Sequence, residues 1–554
     1  MELIRTQAND CENCYKCIRT CPVKAISFKD NQAQIITEDC IYCGLCKNAC
    51  PQDAKAIYSD LAYVKEWLQE GHEVVVSLAP SFLSDFYKSD FNSMKAALKS
   101  LGVRAVHQTA EAATTVKRRY EETIARKDQK VLISSACPTV TLLIQKHHPA
   151  LIPYLSTTPS PMHLHAKMIE DTHPDALKVF IGPCLSKKYE AEVEGTMDAV
   201  LSFVELRAWL EEESVDFEKK TKDNPRGKTN AFPVSGGIIQ SFNRYEADTH
   251  YLSVDGIESC KAALKDIEEG VIDHAFIEMS ACENSCTGGP LRNLNTRKPL
   301  KSVINIKQNL SEEDYPVTAM YESCVLKYKD LHHYEEVPDE DAIHEILKKM
   351  GKDDPSKVLN CGSCGYETCE AKAIAVYQGK ADLTMCLPYL KEKAESFSDH
   401  IIEHTPNGIM VFDADLVVKT MNPSAKAFLD AGGFKIGKDH VHALLEPSPY
   451  FRMLEIDRHK HHRIVHLKEA DRTIDETVVY DPNFGVFISI LRDITQEIAR
   501  KRQKEKAARR TIAITDDVID KQMRVVHEIA SLLGETTAET KTALSELKKV
   551  IDDE

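Results

Sequence analysis

Eighteen cysteines are spread over 554 residues, and sixteen of them fall into recognisable ligand spacings. Cys11, Cys14, Cys17 and Cys21 run up to Pro22, and Cys40, Cys43, Cys46 and Cys50 run up to Pro51. The segment PVKAI closes the first run and PQDAKAI the second, so residues 1–60 are an internal repeat. In a reducing compartment such clusters hold metal or do chemistry rather than form disulfides. The chain around each run must therefore wrap a metal centre. Cys260 and Cys324 stand outside these spacings and are expected to be ordinary buried thiols.

The two runs resemble the bacterial two-cluster ferredoxins, in which the fourth cysteine of each run ligates the other cluster. That resemblance implies one 4Fe-4S cluster on Cys11, Cys14, Cys17 and Cys50, and a second on Cys40, Cys43, Cys46 and Cys21. Zinc is the competing reading, although zinc sites usually take two CxxC pairs.

A chain of this length exceeds one hydrophobic core, so several domains are expected. The apolar fraction of 43% is ordinary, and no run of eighteen apolar residues appears. The N-terminus carries no apolar signal region, so a cytoplasmic protein without membrane contact is expected. A net charge of −16 argues against nucleic acid as a partner.

Residues 61–345 alternate apolar runs with amphipathic stretches such as NSMKAALKSLG. EVVVSLAP, KVLISSACP, KVFIGPC and HAFIEMSAC read as short buried strands that end in loops. This predicts an α/β domain with a largely parallel sheet and a site at the carboxyl ends of its strands. Three of the four strand ends present a cysteine.

Residues 346–396 hold Cys361, Cys364, Cys369 and Cys386, a spacing suited to a further 4Fe-4S cluster, with structural zinc as the alternative. Residues 397–495 lack cysteine. They read strand, turn, strand, a helix from Asn422-Pro423-Ser424-Ala425, and a closing strand GVFISILRDIT, an order that resembles a PAS sensor domain. The histidines at 440, 442, 459, 461, 462 and 466 are expected on its surface. Residues 496–554 read as helical, with Ile519, Met523, Val526, Ala530 and Leu533 forming a short coiled-coil seam. Gly534 is expected to break the helix, and Thr536 or Thr537 to cap the next. His527 is similar to a phospho-acceptor histidine, but a coupling or homodimerisation helix is the preferred reading.

Four cysteines remain: Cys137 in SSACPTV, Cys184 in IGPCLSKKYEAE, and Cys282 with Cys286 in IEMSACENSCTGG. Cys282 and Cys286 are four apart, which a helical turn would set on one face. These loops resemble the three signature loops of the FeFe hydrogenases, as do LAPSF at 78–82, SGG at 235–237 and IQKHHPALIPYLSTTPSPM. With the appended cluster and PAS domains, the layout resembles the sensory, group C members of that family. The resemblance implies an H-cluster, a 4Fe-4S cubane joined to a two-iron unit with CO, cyanide and a dithiolate amine. Cys137, Cys184, Cys282 and Cys286 would hold the cubane, and Cys286 would bridge to the two-iron unit. It further implies Lys187 as a donor to one cyanide, Pro80 and Ser81 bordering the other, and Glu278 as a family glutamate.

Three positions depart from the catalytic pattern. Ala136 stands in place of a proton-passing cysteine, Gly182 and Ser280 in place of methionines. The segment TTVKRRYEE is basic where relay carboxylates are expected, while Ser156 is kept. An alanine cannot carry a proton, so slow turnover is expected. The expected architecture is thus multidomain, α/β and α+β: ferredoxin domain, hydrogenase core, a small four-cysteine cluster domain, PAS domain and C-terminal helices. The implied function is a hydrogen-sensing hydrogenase that relays redox state through its clusters. Its expected partners are H2 and protons, a ferredoxin-like electron carrier, hydrogenase maturation proteins and a signalling kinase or phosphatase. The alternatives are a metabolic hydrogenase exchanging electrons with ferredoxin, or a non-enzymatic iron-sulfur scaffold lacking the two-iron unit.

Overall fold

The computed structural model describes residues 2–7, 10–221, 223–293, 298–317, 319–455, 459–468 and 470–552. The last two residues of the expected C-terminal helical segment, 553–554, lie outside the described residues. The chain forms two compact units, Met1–Leu390 and Lys391–Glu554.

In the first unit the N-terminal repeat becomes two matching halves. Each CxxC loop leads into a five-residue helix, Lys16–Thr20 or Leu45–Ala49, entered through a left-handed residue, Tyr15 (φ 55°) or Gly44 (φ 72°). The fourth cysteines, Cys21 and Cys50, sit at the C-caps of these helices. Strand Ile4–Thr6 pairs antiparallel with Lys55–Ile57, and Ile26–Lys29 with Gln32–Ile35, which closes the halves on one another.

The four predicted strands of the middle region all form, at Val74–Leu78, Val131–Ile133, Leu177–Ile181 and Ala275–Ser280. The expectation of one sheet needs correction, because they divide between two. Ala105–Gln108, Val74–Leu78, Leu177–Ile181 and Ala199–Leu201 make one parallel sheet; His250–Asp255, Ala275–Ser280 and Val131–Ile133 make another. Each sheet has its own core. Val76, Leu78, Phe86 and Trp209 belong to one, and Ile133, Leu143, Leu264 and Ile277 to the other. Strands buried on both faces read as continuous apolar runs, and such runs do not say which sheet they join.

Residues 340–390 add helices Glu340–Lys349 and Cys369–Tyr377, N-capped by Asp339 and Thr368. They pack on the N-terminal repeat: Tyr366, Ala375, Ala381 and Met385 share a core with Cys17, Ile18, Cys21, Ile26 and Phe28.

The second unit holds a five-stranded antiparallel sheet. Its order is Val418–Met421, Gly408–Asp413, Val486–Asp493, Arg472–Asp481 and Lys460–Leu467. Asn422 caps helix Pro423–Phe428 through Ala425 N, as its sequence predicts. Phe412, Tyr450 and Phe487 fill the core. The buried Glu476 carboxylate accepts hydrogen bonds from Tyr450 and Ser489 and an ion pair from Arg463. Of the six histidines, five are exposed and His461 is half-buried. A single helix then runs from Thr495 to Asp552. The expected break at Gly534 does not occur: one exposed glycine costs about 1 kcal/mol in a helix interior, too little to stop so long a helix.

Candidate metal centre

The carboxyl ends of both parallel sheets face one cavity of about 110 Å³. Its wall includes Cys137, Cys184, Cys282 and Cys286, along with Ala136, Lys187, Ser280, Pro80 and Ser81. Cys137 holds the N-cap position of helix Pro138–His147, with Pro138 at the first turn. Cys184 precedes helix Ser186–Glu194, and Cys282 follows strand Ala275–Ser280. The expected helical turn from Cys282 to Cys286 does not form. Asn284 (φ 61°) and Ser285 (φ 54°) are left-handed and lead into a 3-10 turn, Ser285–Gly288. The loop still brings both sulfurs to the cavity.

Burial pushes the Cys137 and Cys282 thiols up and takes Cys286 up to about 12. The neighbouring thiols raise them further, since four converging thiolates repel one another. Such a set is stable as thiolates only around positive charge, which suits a metal cluster.

Lys187 is buried at the wall, where its Nζ donates to Ser160 Oγ at 2.8 Å and to Glu190 Oε2 at 2.6 Å. Glu278 is 1% exposed and does not line the cavity; its Oε2 accepts from Ile239 N at 3.0 Å. Burial raises its carboxyl to about 7 against the opposing pull of the amides at 236–239. Ser280 Oγ lies 3.0 Å from Ser285 Oγ. Gly182 is off the wall, because the Phe180 ring takes the space a side chain would need: a Cβ there would lie 2.6 Å from it. Phe180, Met162, Phe232 and Pro233 line the cavity, and Glu190 braces it from behind Lys187; sequence reading had not singled them out. Phe180 had a signal, since it stands two residues before Gly182 and so on the same face of the chain. Ser156 is buried away from the cavity, its Oγ accepting from Thr158 N. In the basic segment, Lys117 is fully buried and paired with Asp314 at 2.5 Å.

Elsewhere the cysteines also converge. Cys21, Cys40, Cys43 and Cys46 line one cavity of the N-terminal repeat, combining the fourth cysteine of one run with three of the other. Cys14 and Cys50 both point at Gln52 Oε1, at 3.9 and 4.0 Å, and Cys17 feels the charge of Cys11 and Cys14. Backbone amides of Tyr42 and Ala54 donate to Cys40 and Cys50 sulfurs at 3.4 and 3.3 Å. Buried Lys55, missed at the sequence level, sets its charge near Cys17 and Cys46. Cys361, Cys364, Cys369 and Cys386 line a further cavity with Tyr366 and Lys372. Burial lowers the Lys372 amine to about 8, while the Cys364 and Cys386 thiolates hold it up.

Among the described residues no three cysteine sulfurs lie within 4.8 Å of one another. A tetrahedral zinc with Zn–S of about 2.3 Å would hold its sulfurs about 3.8 Å apart. No three of the described cysteines come that close. Of the remaining cysteines, Cys260 is buried and donates to Ser280 O at 3.4 Å, and Cys324 lies 3.5 Å from His163 Nε2. No described helix is long and apolar enough to cross a membrane.

Comparison with known proteins agrees with this geometry. Residues 72–290 match the model of the iron only hydrogenase large subunit, C-terminal domain. Residues 3–51 match a 4Fe-4S dicluster domain and 359–388 an Fe-S cluster model. The cytosolic Fe-S cluster assembly factor NAR1 of Kluyveromyces lactis is 26% identical over 217 residues, 35% of this chain and 45% of the relative. The periplasmic Fe hydrogenase large subunit of Nitratidesulfovibrio vulgaris is 25% identical over 226 residues, 31% of this chain and 54% of the relative. The chain thus spans about half the length of these curated relatives. A solved FeFe-hydrogenase of Chlamydomonas reinhardtii aligns at 17% identity and a TM-score of 0.39, over 48% of this chain and 92% of that one. The chain carries a hydrogenase-type core and iron-sulfur domains.

Proposed function

We propose that this chain is an iron-sulfur redox protein whose core holds a hydrogenase-type six-iron cluster and handles hydrogen slowly, as a sensor does. The observation that carries the reading is the reach of the core cavity. It runs past the four cysteines to Lys187, Pro80 and Ser81, and offers Ala136 where a proton-passing thiol would stand. When bound, such a cluster supplies heterolytic cleavage of H2 and takes up its electrons.

The chain's own residues do the rest. Cys137, Cys184, Cys282 and Cys286 would hold the cubane, and the two-iron unit would be joined through Cys286. Lys187, paired with Glu190, directs N–H donors at an anionic ligand, and Pro80 and Ser81 border the opposite side. Phe180, Met162 and Phe232 keep water out, so the electrostatics of the site stay strong. Ala136 holds no proton, and the Ser280 hydroxyl is a poor acid, so neither relays one efficiently. The second unit's sheet order and its following helix support a PAS-type output, and the exposed apolar seam of that helix supports a homodimer. H2 and protons are then the small-molecule partners, with an electron carrier, maturation proteins and a signalling protein beside them.

A second reading is a scaffold that binds 4Fe-4S clusters alone. The similarity to NAR1 assembly factors favours it. Infrared spectroscopy after anaerobic maturation decides between the two. Bands of iron-bound CO and cyanide are expected; a fully loaded protein without them would leave the scaffold.

A further inference from the structure

The order of the cysteine sets in space differs from their order along the chain. The core set touches the N-terminal repeat through its second loop: Cys43 and Cys46 pack against the core that holds Ala281 and Leu291, and a Cβ at Gly44 would stand 2.6 Å from Pro290. Lys146 Nζ ties the same loop down at Cys40 O, 2.8 Å. The third set, which follows the core in sequence, also packs on the repeat, along helix Lys16–Thr20. Cys364 joins the cluster of residues around Cys17, Ile18 and Cys21. Gly365, in the left-handed region at φ 97°, lets its loop meet helix Lys16–Thr20, where a Cβ would come within 2.9 Å of Ile18 Cγ2. Two cations of the repeat read the loop's carbonyls, Arg19 Nη1 to Ser363 O at 3.0 Å and Lys24 Nζ to Gly365 O at 2.9 Å. Phe28 N donates to Lys380 O at 2.8 Å, and Lys380 Nζ pairs with Asp39 at 2.9 Å and Glu335 at 2.7 Å.

We propose that the Cys361/Cys364/Cys369/Cys386 centre is the electron gateway of the N-terminal repeat, coupled to the Cys11/Cys14/Cys17/Cys50 centre across the Ile18–Gly365 contact. One electron leaves the reduced centre on the Cys11 side and enters the oxidised centre on the Cys361 side. No bond is made or broken and no proton moves. A one-electron carrier protein is the final oxidant. The route is thus core, Cys21/Cys40/Cys43/Cys46, Cys11/Cys14/Cys17/Cys50, then Cys361/Cys364/Cys369/Cys386. Electrons therefore exit at the segment that leads to the second unit. The proposal rests on cluster occupancy alone and not on hydrogen chemistry.

The test uses the full chain reconstituted with iron and sulfide, reduced with dithionite, and read by electron paramagnetic resonance. In the native chain the Cys11-side signal should saturate only at high microwave power, because a second paramagnet relaxes it. Cys369→Ser with Cys386→Ser empties the third centre and should lower that half-saturation power several-fold. Gly365→Leu should do the same with iron content unchanged. Half-saturation power unmoved by the cysteine variant would overturn the proposal. If Gly365→Leu fails to load, Arg19→Ala with Lys24→Ala is the milder variant, and it should raise hydrogen exchange at residues 16–20. Unaltered exchange and saturation there would likewise overturn the contact. Loss of the CO and cyanide bands would leave these readouts untouched, so the two proposals fail separately.

Discussion

The Lys187 Nζ and the Glu190 carboxylate lie 2.6 Å apart, three residues from one another on a single helix, and both are buried. Removing one partner strands a charge inside the protein. Lys187→Met and Glu190→Gln should each destabilise the first unit, by about 3 kcal/mol for the lysine variant. The double variant should cost clearly less than the sum. Urea midpoints of the four proteins test this; additive losses would show that the pair is uncoupled.

Glu278 gives stability a pH dependence. Its folded carboxyl, raised by burial to about 7 from 4.5, ionises later than in the unfolded chain. Between those values the unfolded state holds fewer protons, so stability is complete below about 4.5 and is lost as pH climbs through 7, by about 3 kcal/mol. Tyr120 is the titratable group facing it and ionises far above this window. In Glu278→Gln the slope of the urea midpoint from pH 5 to 8 should flatten. A slope that survives would assign it elsewhere.

Ala136→Cys restores a thiol on the cavity wall. If proton delivery limits the rate, hydrogen turnover of the matured protein should rise on the order of 10²-fold. Unchanged turnover with intact infrared bands would place the limit outside the relay.

Lys55 sets a buried cation beside Cys17 and Cys46. A nearby positive charge favours the reduced, more negative form of a cluster. Lys55→Met should shift the midpoint of at least one N-terminal centre to more negative potential in a redox titration followed by paramagnetic resonance. Potentials that stay put would show that the charge, hydrogen-bonded through Nζ to Thr6 and the Ala33 carbonyl, reaches neither cluster.

Along the C-terminal helix, Ile519, Met523 and Val526 are exposed at coiled-coil spacing. Val526→Glu places a charge in that seam. Sedimentation should find the native chain dimeric and the variant monomeric; identical masses would remove the seam as an interface.

Much of the candidate site was legible because cysteine spacing is a local signal and strand ends carry it. Cys137, Cys184 and Cys282 each follow an apolar run, so the cavity could be foreseen before its walls were known. The division into two sheets was not legible, since Val131–Ile133 and Leu177–Ile181 are equally apolar and only distant packing separates them. The Cys282–Cys286 loop misleads because spacing of four suggests a helix, while Asn284 and Ser285 take left-handed conformations that spacing does not report. Gly182 reads as a lost methionine; that Phe180 fills its place is a matter of side-chain volume. The contact of Gly365 with Ile18 spans more than three hundred residues and leaves no periodic trace.

The unbroken helix Thr495–Asp552 is 58 residues long, about 87 Å at 1.5 Å per residue. Its first turn is fastened to the sheet, with Thr495 donating to Asp493 Oδ1 at 2.5 Å and accepting from Thr473 N at 2.9 Å. A rod held at one end is a lever. Tilting its base by about 5° sweeps the far tip through about 8 Å, wider than the 5.4 Å pitch of a helix. A shift at the sheet edge too small to disturb the packing around Phe412 and Phe487 is therefore enough to move whatever grips the far end by more than one helical turn.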